Sequence, residues 1–334
     1  MRAMPRLTRK HQDLSRPIRA FTFTVDPKEE GLRLDKLLRL QYPWHSRTFY
    51  QRKVERGEVE INGRVGKRSS KVKTGDVVVI QLPRDPSAPD IEDASDLVIL
   101  WEDDDLLAVD KPSGMAVHPV GRTRHGTLIN KLHARYRDAD PAKDVVPRLS
   151  HRLDRDTSGV ILGVKNADVD AKVMQMFIDR EVDKTYFALV CGVPEDDEGI
   201  IEAPMGPDPD ADTAMHQAVL ADGLPAKTRW TVRKRFARHA WLEIDLFTGR
   251  THQIRVHMAH IGHPLACDHL YGDVRPLMRT HAVPGASHED DDVLLARLGL
   301  HAHRLALTHP VTGERLVLES PVPADLAYAL EALA

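Results

Sequence analysis

The apolar positions of the chain follow two regimes. Between residues 31 and 83 short amphipathic pieces alternate with turn residues. Leu34, Leu37 and Leu38 recur at i, i+3, i+4, the spacing of one helical face. Ser46 stands where a helix N-cap is wanted, and Gly57 where that helix would stop. Val59 and Ile61 then alternate with polar residues. Asn62-Gly63 supplies a tight turn, and Gly75-Asp76 another before an apolar run from Val77 to Leu82. From residue 97 the runs lengthen. Leu97–Trp101 and Leu106–Val109 read as strands around Glu102-Asp103-Asp104-Asp105, a solvated hairpin turn. Val160–Val164, Lys184–Val193, Lys227–Phe236 and Trp241–Phe247 are further strands. Asn166 opens a helix with Val169, Val173, Met176 and Phe177 on one face, its methionines serving as core packing. Ile254, Met258 and Ile261 mark another helix after Arg250. Residues 273–297 are polar and irregular and read as a surface insertion.

These elements divide the chain into an arm (1–20), a module (21–83), a Pro- and Asp-containing linker (84–96) and a larger domain (97–334). A length of 334 residues suits two domains. With 42% hydrophobic and 29% charged residues, a wholly disordered chain is excluded. The formal net charge of -3 hides a split. Residues 1–83 hold 19 Lys/Arg against 9 Asp/Glu, a net of +10, and the remainder holds 28 against 41, a net of -13. That asymmetry points to an anionic partner for the N-terminal part. The arm is either a plain disordered tail or a flexible phosphate-seeking segment. Cys191 and Cys267 alone cannot build a disulfide framework or a four-thiolate zinc site. No run approaches ~18 apolar residues, and the N-terminus lacks a signal-peptide core. A cytoplasmic, membrane-free protein is expected.

Within the module, Arg64, Lys67, Arg68 and Lys71 form a basic loop, and Arg33/Lys36 and Arg52/Arg56 sit at same-face helical spacing. With Arg47 they are candidate contacts to an RNA backbone; a solvated charged surface is the plainer alternative. The stretch resembles the small RNA-binding module named after ribosomal protein S-four, on Arg33-Leu34-Asp35-Lys36-Leu37-Leu38, Ser46-Arg47 and Gly57-Glu58-Val59-Glu60-Ile61-Asn62-Gly63.

His252, His257, His260, His263, Cys267, Asp268 and His269 fall close together, but a zinc site needs three or four of them to converge. His252 and His257 lie five apart rather than four, so no metal is expected.

The chemistry concentrates in His151-Arg152-Leu153-Asp154-Arg155-Asp156-Thr157-Ser158-Gly159-Val160, a carboxylate set among basic side chains ahead of a turn and a strand. By themselves these residues fit a loop ion-pair network as well as a catalytic loop. His-Arg-Leu-Asp followed by Thr-Ser-Gly resembles the signature of pseudouridine synthases of the RluA family. Further segments agree in order: Asp110-Lys111-Pro112-Ser113-Gly114 with Val117-His118-Pro119, then Lys184-Thr185-Tyr186, Ala226-Lys227-Thr228, Thr248 through His257, and Leu300-His301-Ala302 with Leu307-Thr308-His309-Pro310. The resemblance spans about 31–330.

It implies an α+β fold: a small helix-plus-sheet RNA-binding domain, then a larger catalytic domain with a central mixed, mainly antiparallel sheet. It implies isomerisation of uridine to pseudouridine, which gains and loses no atoms and so needs no cofactor. Asp154 matches the essential aspartate and Arg255 the arginine that pairs with it, through a charge-assisted, bidentate-capable contact. Tyr186 matches the tyrosine that packs on the base and Arg152 a residue that displaces the target from its stack. His151, Thr157, Arg250 and His252 are candidate substrate contacts in the same motifs. The module favours large-subunit ribosomal RNA as partner. Transfer RNA, a non-catalytic RNA-binding factor and a metal-dependent hydrolase are the alternatives. A monomer is the default, and covalent attack and elimination to a glycal both stay open.

Overall fold

The computed structural model describes residues 14–15, 20–42, 46–82, 89, 91–120, 123–137, 145–211, 215–272, 276–287 and 292–334. Most of the predicted arm, residue 83 of the module and about half of the linker, 84–88 and 90, lie outside the described residues. Two units, Met1–Glu92 and Asp93–Ala334, each fold around their own contacts.

The first unit contains β1 (Ala20–Thr24), α1 (Leu34–Gln41), α2 (Arg47–Glu55), β2 (Val59–Ile61), β3 (Arg64–Val65) and β4 (Val77–Gln81). Leu34, Leu37 and Leu38 are fully buried and pack with Val59, Val78 and Ile80. Burial of each leucine stabilises by about 2 kcal/mol. Ser46 caps α2 by accepting from the Phe49 amide at 3.2 Å. Asn62 (φ 51°) and Gly63 (φ 76°) both take the left-handed region, as a two-residue hairpin turn requires. Asn62 then accepts from the Val77 amide, tying this turn to β4. The sheet order is β1-β4-β2-β3, antiparallel throughout. Strands β1 and β3 are the elements the sequence pattern did not show, and Arg64, expected in the basic loop, lies in β3.

The second unit runs β5 (Val98–Glu102), β6 (Leu106–Lys111), α3 (Leu128–Arg135), β7 (Arg148–Leu149), β8 (Ser158–Val164), α4 (Ala167–Asp179), β9 (Asp183–Cys191), β10 (Glu198–Glu202), β11 (Met205–Pro207), β12 (Gln217–Val219), β13 (Lys227–Arg235), β14 (His239–Leu246), α5 (Gln253–His260), β15 (Leu277–Met278), α6 (Arg279–Ala282), β16 (Val293–Leu295), β17 (Leu300–Thr308), β18 (Arg315–Glu319) and α7 (Ala324–Ala332). A ten-stranded sheet carries the order β10-β13-β14-β9-β17-β8-β6-β5, with β18 on β17 and β7 on β8. Only β17 and β8 run parallel, so the sheet is mixed and mainly antiparallel. The acidic run 102–105 is the β5–β6 turn, where Asp103 accepts from the Asp105 and Leu106 amides.

The β8–β17 junction decides where the Asp154 loop can go. Gly159 has φ +116°, and a Cβ there would lie 2.2 Å from the Ala302 carbonyl oxygen. Glycine alone lets β8 start against β17 directly after the loop 151–157.

The expectation of a surface insertion at 273–297 is corrected. Of its described residues, β15 and β16 pair, and Leu277, Ala282, Leu294 and Leu295 are buried with Leu326, Ala329 and Leu333 of α7. Their apolar positions are too sparse to show a period, and what covers them arrives some 30 residues later.

Candidate active site

The loop between β7 and β8 carries Asp154. Leu153 is buried among Leu107, Val109, Leu128 and Ile161, which anchors the loop from below. The Thr157 amide donates to the Asp154 carbonyl at 3.2 Å and closes the turn. Beneath it, Lys111 at the end of β6 is fully buried. Its Nζ donates to the carbonyls of Pro112 (2.8 Å), Met115 (3.0 Å) and Arg155 (2.9 Å), and Ser113 Oγ donates to the Asp156 carbonyl at 2.7 Å. These bonds clamp the 112–115 loop to the Asp154 loop. Burial pulls the Lys111 ammonium down to about 7, against the opposing charges of Asp156 and Asp154.

The opposite wall is α5 and the segment after it. Gln253 braces the entry, accepting from Thr248 Oγ1 and the Arg250 amide and donating to the Lys227 carbonyl and Thr228 Oγ1. Two residues along, Arg255 is 3% exposed. Its Nε and Nη2 donate to Asp268 at 2.8 and 2.6 Å, and its Nη1 lies 3.9 Å from Asp154 Oδ2. The expected Asp154–Arg255 pair is present as an ion pair at 3.9 Å without a hydrogen bond, and the bidentate partner of Arg255 is Asp268. Asp268 is fully buried and also accepts from the Leu270 and Tyr271 amides. Burial alone would raise its carboxyl, but the Arg255 hydrogen bonds and charge prevail and lower it. Burial likewise opposes the Arg255 charge, and Asp268 more than restores it.

Tyr271 lays its ring 5.1 Å from the Arg255 guanidinium. Its hydroxyl accepts from the Gln217 amide and shares a 2.8 Å hydrogen bond with His252 Nδ1. His252 Nε2 lies 3.9 Å from Asp154 Oδ2. Burial lowers the His252 imidazole, which favours its neutral form. Tyr186 enters from β9, half-buried between two core clusters. Burial, and then the Asp154 charge, push its phenol above the ordinary value.

The remaining predicted site residues divide. Arg152 is exposed, and its charge reaches His252. Arg250 Nε donates to the Pro225 carbonyl, holding the loop before α5. His151 is turned inward: Nε2 accepts from the Leu162 amide at 2.8 Å and the ring stacks on Phe177. Burial, with the Lys184 charge second, pushes it down to about 3. It is a neutral brace, not an outward donor. Thr157 is 2% exposed and belongs to the turn. His257 is buried between Thr228 Oγ1 and the Ala203 carbonyl, and His263 faces the Cys191 carbonyl, so these histidines diverge. Among the described residues no group of three or more His, Cys, Asp or Glu is placed to hold a metal, and no helix is long and apolar enough to cross a membrane.

In the module, Lys36, Arg52, Arg56, Arg64, Lys67 and Lys71 are exposed, and Arg56, Lys67 and Arg68 line one groove beside β3. Arg33 and Arg47 serve the buried Asp35, which also accepts from Gln51. Burial would raise that carboxyl, and these donors instead hold it at about 2. Arg68 pairs with Glu55. Asp268, Tyr271 and Lys111 escaped the sequence reading. Asp268 was visible only as part of the histidine-rich stretch, and Lys111 only as a letter of Asp110-Lys111-Pro112.

The RNA pseudouridylate synthase family model matches residues 105–260, and the S4 domain model matches 32–78. The ribosomal large subunit pseudouridine synthase D of Nitrosomonas europaea is 40% identical, over 93% of this chain and 87% of that one. The chain belongs to the RNA pseudouridylate synthase family. The RNA pseudouridine synthase YlyB of Bacillus subtilis is 36% identical over 93% of this chain and 97% of its own. Among solved structures, human RNA pseudouridylate synthase domain containing 4 aligns with a TM-score of 0.56 at 25% identity, covering 70% of this chain and 92% of that one. This protein is thus an RNA pseudouridine synthase with an N-terminal S4 domain, and the α+β architecture is that of its structural neighbours.

Proposed function

We propose that this synthase isomerises uridine in large-subunit ribosomal RNA, in the cytoplasm, with the Asp154 carboxylate acting at the anomeric carbon. The observation that carries this reading is the placement of Arg255. Its two best hydrogen bonds go to Asp268, and its third nitrogen stops 3.9 Å from Asp154. A guanidinium so pinned supplies positive charge to the carboxylate without closing over it, and Asp154 keeps a 20% exposed face for substrate.

The reaction breaks the N1–C1′ bond, turns the detached uracil and forms C5–C1′; the proton lost from C5 balances the one gained at N1. No redox partner or group donor is needed. The target base leaves its stack at a cost of a few kcal/mol. Tyr186 offers it a flat face with a polar tip, and the exposed Arg152 fills the vacated space. The basic surface of the S4 domain, at Lys36, Arg52, Arg56, Arg64, Lys67 and Lys71, holds the RNA by its phosphates. The ribosomal assignment follows relatives that bear the name ribosomal large subunit pseudouridine synthase D.

Pseudouridine mapping of RNA from a strain lacking the protein tests this. Sites should vanish from large-subunit ribosomal RNA and return with the wild-type chain but not with Asp154→Asn. Loss confined to transfer RNA would overturn the substrate assignment.

A further inference from the structure

Lys184 has no role in the scheme above, yet its surroundings are unusual. It lies on β9 two residues before Tyr186, so both side chains leave the strand on the same side, about 7 Å apart along it. A Cβ at Gly249 would meet Lys184 Nζ at 3.6 Å, which sets the ammonium against the loop that leads to His252. On the other side, its charge is felt by His151 at the start of the Asp154 loop. The side chain therefore sits where the two loops framing Asp154 approach β9.

No hydrogen bond or ion pair joins Lys184 to any described residue. Arg180, the exposed left-handed residue that ends α4, is a second cation whose charge acts on it. Burial, with Arg180 second, lowers the ammonium. None of the neighbouring acids is bonded to it among the described residues. Asp179 accepts from Gln175, Asp183 pairs with Arg315, and Glu181 is exposed. A half-buried ammonium set against the Gly249 loop, with no carboxylate bonded to it among the described residues and a second cation acting on it, favours an anion as its missing partner.

We infer that Lys184, with Arg180 adding to the local charge, binds an RNA backbone phosphate beside the target uridine. This rests on the reading that the Asp154 loop and Tyr186 receive that uridine. The spacing favours a phosphate over the base. A base resting on Tyr186 is held at the ring, and Lys184 meets the chain one step along the strand. The contact fixes the register in which the flipped nucleotide enters and carries no base information.

The test is the salt dependence of RNA binding together with single-turnover rates, on an RNA that the wild-type protein modifies. Lys184→Gln should weaken binding about tenfold at low salt, as loss of a charged hydrogen bond does. It should flatten the slope of log Kd against log salt by about 0.7, one phosphate contact to a single strand. The rate constant at saturating RNA should fall by less than about twofold, and Lys184→Arg should restore most of the affinity. Arg180→Gln, at an exposed position, should flatten the slope as well, so instability of the Lys184 variant does not shelter the inference. Unchanged slopes in both variants overturn it. So does a lost rate constant at unchanged affinity, which would assign Lys184 to the base. If the wild-type protein modifies no RNA, it is the underlying functional reading that fails.

Discussion

Asp268→Asn separates an arginine that is merely buried from one that is aimed. In the wild-type protein both Asp268 oxygens are used by Arg255, and one also serves two backbone amides. Asparagine retains one acceptor and loses the charge. Arg255, 3% exposed, is then a buried cation with a poor partner. Breaking such a pair costs about 3 kcal/mol at the lower end of the usual range. For a unit of this size that corresponds to a fall in Tm of about 6–12 °C. The freed guanidinium has one carboxylate left, Asp154, 3.9 Å away. Reaching hydrogen-bond length means moving about 1 Å. A misplacement of that size costs on the order of 100-fold in rate. Neither Asp268 nor Arg255 offers surface to RNA, so Kd should stay within about threefold. Thermal melts, single-turnover kinetics and RNA binding on the one variant give all three numbers. A lowered Tm with kcat within twofold of wild type would refute the reasoning and leave Asp268 a purely structural partner.

Lys111→Met should destabilise the larger unit by about 3 kcal/mol or more in urea unfolding, because three carbonyls lose a charged donor together; a loss below about 1 kcal/mol would mean that water replaces the ammonium. In the S4 domain, Asp35 is held at about 2, below its ordinary value of 3.8. The unfolded chain binds the extra proton between those values, so the contribution of Asp35 to stability is complete above about pH 4 and is lost as pH falls through 2. Arg47→Ala should move the carboxyl titration, followed by carbon-13 NMR, upward toward the ordinary value; an unmoved midpoint would exclude Arg47 as a cause.

The parts legible in the sequence are those whose signal is local. The face of Leu34, Leu37 and Leu38, the Ser46 cap, the Asn62-Gly63 turn and the Asn166-capped helix all depend on residues within a few positions, and each takes the predicted form. Strand β1 does not, since Ala20–Thr24 becomes a strand only by pairing with β4, more than fifty residues on. The same holds at the site. The motif of residues 151–160 marks the loop, but Lys111 gains its meaning from the Arg155 carbonyl, 44 positions away. Asp268 gains its meaning from Arg255 across a turn that nothing in the spacing reveals. His151 misled for the opposite reason. Its place in the motif suggested a contact with substrate, whereas the Leu162 amide and Phe177 had already claimed the ring.

The central claim is that Asp154 performs the chemistry and does not merely hold the loop. Its most direct test is single-turnover pseudouridine formation by purified Asp154→Asn protein, with RNA affinity measured on the same sample. The account predicts no detectable product at a Kd within a few-fold of wild type. Product formation at a comparable rate would contradict it.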